Sequence, residues 1–415
     1  MEKHKESIGE NRQNAIPNAK TSGSRTPNVP ALRFPEFTGE WRFVHLEEVA
    51  EFQKQRIFTA LLNNGNYIST ENILQNFEGI QYSSSIPANT NVIEYQKGDI
   101  LLSNIRPYLK KVWFADRKGG CSADVFVLRG DKCDQHFLYY VIASNRFINY
   151  VMSGAKGVKM PRGDKSQMEK YAFSIPTNTE QRKIAKFLSM LDERIRLQNK
   201  IIEKYESLIQ ALCDTLIEQE TQQVTLSFSD FGQSYSGLSG KSAEDFGDGY
   251  PFITYMNVYQ NQIIDLTDVG LVKINETEQQ SVVRHGDILL TLSSETPEEV
   301  GMGAVYLGET YPLYLNSFCF GIHIIDEAKI YPPFLAYYVS SQSFRKAVYP
   351  LAQGSTRFNL QKSDFMKKKF SFPVIEKQQK IYSILNSYSD KLIVERQIMK
   401  SLCYQKCYLL RQLFI

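Results

Sequence analysis

Paired cysteines are missing from this chain: the six present (Cys121, Cys133, Cys213, Cys319, Cys403 and Cys407) form no CxxC motif, and the five histidines are scattered. That pattern argues against both a zinc framework and a disulfide scaffold, and it fits a reduced, cytoplasmic setting. No uninterrupted apolar run approaches the roughly 20 residues that a helix needs to cross a bilayer, so a membrane partner is not expected. Residues 1–30 lack the apolar core of a secretory signal and are rich in Asn, Ser, Lys and Pro, which predicts a flexible tail. Excess positive charge is small as well. The net charge is +3, residues 31–176 carry 18 Lys and Arg against 15 Asp and Glu, and residues 222–373 carry 11 against 16. Bulk charge announces no nucleic-acid binder. If the second half grips phosphates, it must use a local patch, hydroxyls, amides and backbone N–H groups.

Catalytic signatures are missing too. An adenine methyltransferase needs a short polar residue before Pro-Pro-aromatic to bind the exocyclic amine, but residues 331–334 read Tyr-Pro-Pro-Phe, which suits a loop or a helix start. Phe246-Gly247-Asp248-Gly249 has the wrong glycine spacing for a methyl-donor loop and reads as a surface turn. Gly240-Lys241-Ser242 has Tyr235 where a phosphate-cradling loop needs its first glycine. With no Ser-His-Asp, metal-ligand or nuclease constellation either, the chain reads as a binder with no catalytic residue, cofactor site or metal site of its own.

What is present is a long internal repeat. A shift of 197 aligns Gly157–Ile217 with Gly354–Phe414 without a gap, matching Lys165-Ser166 to Lys362-Ser363, Phe173-Ser174 to Phe370-Ser371, Pro176 to Pro373 and Gln181 to Gln378. A shift of 188 lays GDILL at 98–102 on GDILL at 286–290, and a shift of 185 lays Tyr67-Ile68-Ser69 on Phe252-Ile253-Thr254. Each half opens with short runs of Val, Ile, Phe and Tyr broken by Gly, Asn, Ser and Pro, which predicts a strand-rich domain. GDILL reads as a tight turn feeding a buried strand, with Asp99 and Asp287 in structural roles.

After Pro176 the period changes. Leu188, Leu191, Ile195, Gln198, Ile202, Tyr205, Ile209, Leu212 and Leu216 fall at alternating steps of three and four, a heptad seam with one polar interruption. Leu385, Tyr388, Leu392, Glu395, Met399, Leu402, Lys406, Leu409 and Leu413 give a weaker copy. Pro176 and Pro373 are expected just outside the helices or in their first turns. Two helices of about 40 residues would each run roughly 60 Å. With one apolar stripe apiece, each needs a partner, either the other helix or its own domain.

A duplicated strand-rich region, each copy followed by the same long helix, resembles the specificity subunit of type I restriction-modification enzymes. Its local marks are ALRFPEFTGEW at 31–41, GDILL in both halves, and the junctions FSIPTNTEQRKIAKFL at 173–188 and FSFPVIEKQQKIYSIL at 370–385; the second departs from the usual Glu-Gln form in having Lys377-Gln378. The resemblance implies an α+β architecture: a tail at 1–30, target-recognition domains at 31–176 and 222–373, and helical spacers at 177–221 and 374–415 that pair as an antiparallel coiled coil. It also implies that each domain reads one half of a split double-stranded DNA target. The expected partners are two modification subunits, which methylate adenine with S-adenosylmethionine, and two restriction subunits, which use ATP and magnesium.

Base-edge readout calls for Arg or Lys toward guanine and Asn or Gln toward adenine, while hydroxyls and backbone N–H groups take phosphates. In the first half the candidates are Lys54, Gln55 and Arg56; Asn104, Arg106, Tyr108, Lys110 and Lys111; and Lys156, Lys159, Arg162 and Lys165 in a Gly-rich basic loop beside the helix. In the second half they are Gln353, Ser355, Thr356, Arg357, Asn359 and Lys362, with Ser234, Tyr235, Ser239 and Lys241 in the preceding loop. Two other readings compete: a coiled-coil scaffold that binds only proteins, favoured by the acidic second half, and a divergent DNA methyltransferase.

Overall fold

The computed structural model describes residues 28–309 and 311–414, so the tail expected at 1–30 falls outside the described residues except for its last three. Among those, Asn28 is anchored, its side-chain amide donating to the Trp41 carbonyl (2.7 Å) and the Ser174 hydroxyl (3.0 Å). The chain divides into two compact units, Met1–Asp192 with Cys403–Ile415, and Glu193–Leu402.

In the first unit, Arg42–His45 pairs antiparallel with Ala172–Ile175 and closes the domain at its ends. A four-stranded sheet runs in the order Ala50–Phe52, Val125–Gly130, Ile100–Ser103, Val112–Phe114. A second runs Arg56–Phe58, Asn91–Tyr95, Gly119–Cys121, Tyr67–Ile68, its last pairing parallel. The second unit repeats the plan. Gln223–Ser227 pairs with Lys369–Pro373, and a four-stranded sheet runs Gly232–Ser236, Cys319–Ile324, Ile288–Thr291, Gly303–Val305. A three-stranded sheet keeps the parallel pairing, Phe252 and Ile253 against Tyr314 and Leu315. In both units the strand following Gly-Asp is central and wholly buried.

The turn that feeds that strand explains its repeated aspartate. The Asp99 carboxylate accepts from the Gln96 N–H (2.7 Å) and that of Asp287 from the Arg284 N–H (2.8 Å), so each side chain closes its own turn. Each also faces a cation-capable partner on the neighbouring strand, Arg129 at 2.7 Å in the first unit and His323 at 2.9 Å in the second. Tyr331-Pro-Pro-Phe begins the helix Pro332–Tyr338, with proline in its first turn. Phe246-Gly247-Asp248-Gly249, expected as a surface turn, is instead the bulged start of a strand: Phe246 and Tyr250 both face Val272, and Gly247 and Gly249 take φ of +107° and +101°.

The long helices are Asn178–Glu218 and Ile375–Gln412. Each is fastened at its start by one buried glutamine. Gln181 donates to the Pro176 carbonyl (2.9 Å) and accepts from the Asp134 N–H (2.8 Å); Gln378 repeats this with Pro373 and Tyr331, both at 2.8 Å. In the first unit Glu180 is buried and receives Arg33 through both oxygens (2.7 and 2.8 Å) and the Trp41 indole N–H, which is the physical content of the RFPEFTGEW segment. The matching position in the second unit is Lys377, which pairs instead with Glu220 at 3.1 Å.

The helices pair antiparallel, and each unit contains part of that pairing. In the first, Lys406 meets Asp192 at 2.6 Å, while Leu188 and Leu413 share one core with Leu409 packed against it. In the second, Gln198 donates to Glu395, its counterpart in the repeat, and Arg396 meets Glu206 at 2.7 Å. Ile202, Ile209, Leu385 and Leu392 are buried there, with Tyr205, Leu212, Leu216, Tyr388 and Met399 partly so. Leu402 is buried, and Leu191 and Ile195 are half-buried. At that end Cys213 and Ile217 are the buried residues, with Leu212 and Leu216 half-buried against the same core. A straight helix drifts against a strict heptad, and here the stripe turns toward the core of the second unit.

Candidate nucleic-acid interface

Two loops that the sequence presents far apart are joined by backbone hydrogen bonds in the first unit. The Arg106 N–H donates to the Pro161 carbonyl (2.8 Å), the Gly163 N–H to the Asn104 carbonyl (3.0 Å), and Ile105 and Lys156 each bridge to Arg162. The segment after the buried GDILL strand and the Gly-rich basic loop thus form one exposed edge. Arg106 and Lys110 adopt positive φ (50° and 54°) on either side of the short helical turn Pro107–Leu109. Non-glycine residues held there store strain of about 1–3 kcal/mol, which the paired loops hold in place.

The cations of this edge divide by partner. Lys156 pairs with Asp164 (3.0 Å), Arg162 with Asp124 (2.7 Å) and Lys165 with Glu169 (3.7 Å), and the Lys165 ammonium lies over the Phe52 ring (5.1 Å). Lys111 is turned inward to the Thr70 carbonyl (2.7 Å), and burial lowers its pKa. Arg106, Tyr108 and Lys159 are exposed, with no hydrogen bond or ion pair through their side chains among the described residues. Lys54, Gln55 and Arg56 are also exposed, on the stretch that follows Phe52.

The second unit builds the same edge. The Leu292 N–H donates to the Phe318 carbonyl (2.8 Å) as Asn104 does to Asp124 (2.8 Å), and the Leu360 N–H donates to the Leu292 carbonyl (2.8 Å) as Gly163 does to Asn104. Ser293 pairs with Asn359, and Asn359 with Gln353, closing a hairpin whose turn holds Gly354, Ser355, Thr356 and Arg357. Gly354 sits at φ +142°, where an added Cβ would lie 2.0 Å from the Arg357 carbonyl, so the turn admits no side chain there. The Arg357 guanidinium lies 5.1 Å from the Phe318 ring centroid. Beside it opens a cleft of about 320 Å³ lined by Tyr255, Met256, Tyr259, Ser293, Ser294, Glu295, Glu299, Phe318 and Arg357. Glu299 is committed to the wall, accepting from Ser294 (2.6 Å) and Tyr259 (2.9 Å), and these bonds hold its carboxyl below the usual range.

The other second-half candidates do not join this cleft. Tyr235 is 9% exposed, stacks on His323 (4.2 Å) and donates to Asp287 (2.8 Å), so its side chain belongs to the core. The Lys241 side chain is 5% exposed and bound to Glu278 and the Lys273 carbonyl, each at 2.5 Å. Ser239 is tied to Gln280 through its backbone, Ser234 lies within a strand, and Lys362 donates to Ser236 (3.3 Å). Sequence reasoning missed Tyr255, Tyr259, Glu295 and Phe318. The shift of 188 that aligns the GDILL strands also aligns the segment starting at Ser293 with the one starting at Ile105, and that was the available signal.

Among the described residues no helix is long and apolar enough to cross a membrane, and no cluster of His, Cys, Asp and Glu could hold a metal ion. A family model described as the type I restriction modification DNA specificity domain matches residues 38–207 and again 227–403. The chain is 24% identical over 397 residues to the Type I restriction enzyme MjaVIII specificity subunit of Methanocaldococcus jannaschii, covering 88% of this chain and 89% of that one. It is 25% identical over 165 residues to the EcoDI specificity subunit of Escherichia coli, a match spanning 38% of this chain and only 36% of that relative. In fold it is similar to the S subunit of the type I restriction-modification system of M. genitalium, with a TM-score of 0.56, 17% identity, and coverage of 93% of this chain and 99% of that one. A second solved chain, from work on assembly and conformational transition of the type I R-M system, gives a TM-score of 0.55 at 18% identity, covering 89% of this chain and 96% of that chain.

Proposed function

The chain belongs to the type I restriction modification DNA specificity family, carrying its domain twice, and from that premise we propose that it is a non-catalytic subunit reading a split double-stranded DNA target. We assign residues 31–176 and 222–373 as the two target-recognition domains and 177–221 and 374–415 as helical spacers that set the interval between the two half-sites. The observation that carries this reading is the matched edge in both units, where the segment after the GDILL strand is hydrogen-bonded to a glycine-containing hairpin bearing exposed polar side chains. Loops on a rigid frame are where readout residues are expected, since the frame fixes position while the side chains can vary.

Partner subunits complete the proposal. Within the second unit, Leu197, Ile201 and Leu208 on the central helix are exposed, which supports docking of modification subunits there. S-adenosylmethionine, ATP and magnesium then belong to the modification and restriction subunits, and the complex works in the cytoplasm. The test is to express the chain with its modification subunit and sequence the methylated positions, while measuring how DNA binding by the assembled complex depends on salt. Adenine methylation in a two-part motif with a fixed gap, and a steep salt dependence, are expected. Salt-independent or absent binding favours the protein-only scaffold, and methylation by the purified chain alone favours a divergent methyltransferase.

A further inference from the structure

Matching backbone hydrogen bonds give residue-level equivalences between the two edges, and their chemistry is opposed. Asp124 and Phe318 occupy one position, Arg162 and Asn359 another, Lys156 and Gln353 a third, and Arg106 and Ser294 a fourth. The loop that follows carries Lys110 and Lys111 in the first unit, and Glu295, Glu298 and Glu299 in the second. The first edge is thus rich in donors, and the second is rich in acceptors around a cleft with aromatic walls. Glu295 and Arg357 both line that cleft, yet they form no ion pair with each other, and Glu295 is exposed with no partner among the described residues. Arg357 lies over the Phe318 ring at 5.1 Å, so one cleft presents an exposed carboxylate and a guanidinium, both without an ion-pair partner among the described residues.

Resting on the DNA-reading proposal, we infer that the second unit reads a cytosine–guanine pair. The Glu295 carboxylate accepts from the cytosine exocyclic amine, and Arg357 donates to the guanine O6 and N7 atoms. In the major groove guanine presents two adjacent acceptors with the cytosine donor beside them, which suits a two-pronged guanidinium next to a carboxylate, whereas an A·T pair sets its donor between two separated acceptors. A bare carboxylate facing DNA repels phosphates, so its place on this edge makes sense as a base contact. Phosphate attraction for this half then comes from the amides and hydroxyls of the hairpin.

The complete modification complex is assembled with wild-type, Glu295→Ala and Glu295→Gln chains, and methylated positions are sequenced across a genome. Expected is a wild-type motif with a fixed C·G pair in one half-site, and loss of discrimination at that pair by roughly 5- to 150-fold in Glu295→Ala. The other half-site and the gap are expected to stay unchanged. Replacing that cytosine with N4-methylcytosine in a duplex is expected to weaken wild-type binding and to leave Glu295→Ala binding unaffected. A wild-type motif with unchanged discrimination in both variants, or no C·G pair in the half-site altered by Arg357→Ala, overturns the inference while the DNA-reading proposal stands. Absence of any sequence-restricted methylation by the wild-type complex overturns both.

Discussion

The first unit meets solvent at its loop edge with Arg106, Lys110, Lys156, Lys159 and Arg162; the second meets it with Glu295, Glu298, Gln353, Arg357 and Asn359, over an equivalent pattern of backbone hydrogen bonds. Behind these edges, residues at matched positions play matched roles. Gln181 and Gln378 fasten the helices, Ser144 and Ser341 cap helices at 3.2 and 3.3 Å, and Tyr140 and Tyr337 each reach a polar group on a long helix at 2.8 Å. Burial separates the two classes. A buried polar side chain that loses its partner costs about 1–3 kcal/mol, whereas exposed loop residues away from such features are usually worth within about 0.5 kcal/mol. Chemistry can therefore diverge at the edge while the frame behind it stays the same.

If the frames are equivalent, matched deletions should cost the same. Leu188 and Leu385 are both fully buried at the starts of their helices. Replacing either with alanine is expected to cost about 2–5 kcal/mol, the usual range for emptying a buried leucine site. Chemical denaturation with hydrogen exchange resolved by segment measures this unit by unit, and a cost confined to one half would break the equivalence. Gln181→Ala and Gln378→Ala come next, at about 1–3 kcal/mol each, because each leaves a backbone N–H and a carbonyl without their partner. At the edges the expectation reverses, and matched positions should differ. Arg357→Ala is expected to cost about 1–3 kcal/mol of DNA binding and to relax one target position, with the fold intact. Lys159→Ala, on the cationic edge, is expected to weaken all sequences alike and to lower the salt-dependence slope by about 1. Arg357→Ala with unchanged methylation kinetics would remove it from the reader.

How far the sequence revealed this follows from the range of the interactions. The helical stripe and the Gly-Asp turn were legible because both are local: Asp99 and Asp287 bond to backbone only three residues away. The repeat exposed the shared frame, since Gln181, Pro176 and the GDILL strands keep their spacing. The joined edge was not legible, because it depends on pairings such as Ile105 with Arg162 and Ser293 with Asn359, which no local pattern encodes. Tyr235 misled for the same reason. Gly-Gln-Ser-Tyr-Ser reads as a polar loop, but the strand it forms turns the tyrosine inward, toward an aspartate that only the fold brings near. Lys241 is similar, a cation whose carboxylate lies in a distant loop.

The smallest effect expected falls where the two Gly-Asp turns differ in their partners. Asp99 faces Arg129, a permanent cation, while Asp287 faces His323, together with the Tyr235 hydroxyl and the Arg284 N–H. Burial raises the Asp287 pKa, and its hydrogen bonds to Arg284, His323 and Tyr235 only partly oppose this. A carboxyl whose folded pKa lies above its unfolded value, about 3.9, keeps its proton longer in the folded unit. Its contribution to stability is therefore full below that value, falls as pH rises toward the raised folded pKa, and is level beyond. Asp287→Asn has no proton to lose there. Wild-type stability of the second unit, measured relative to this variant by denaturation across acidic to neutral pH, should decline over that interval and then flatten. A relative stability that climbs with pH instead would mean that pairing with His323 outweighs burial.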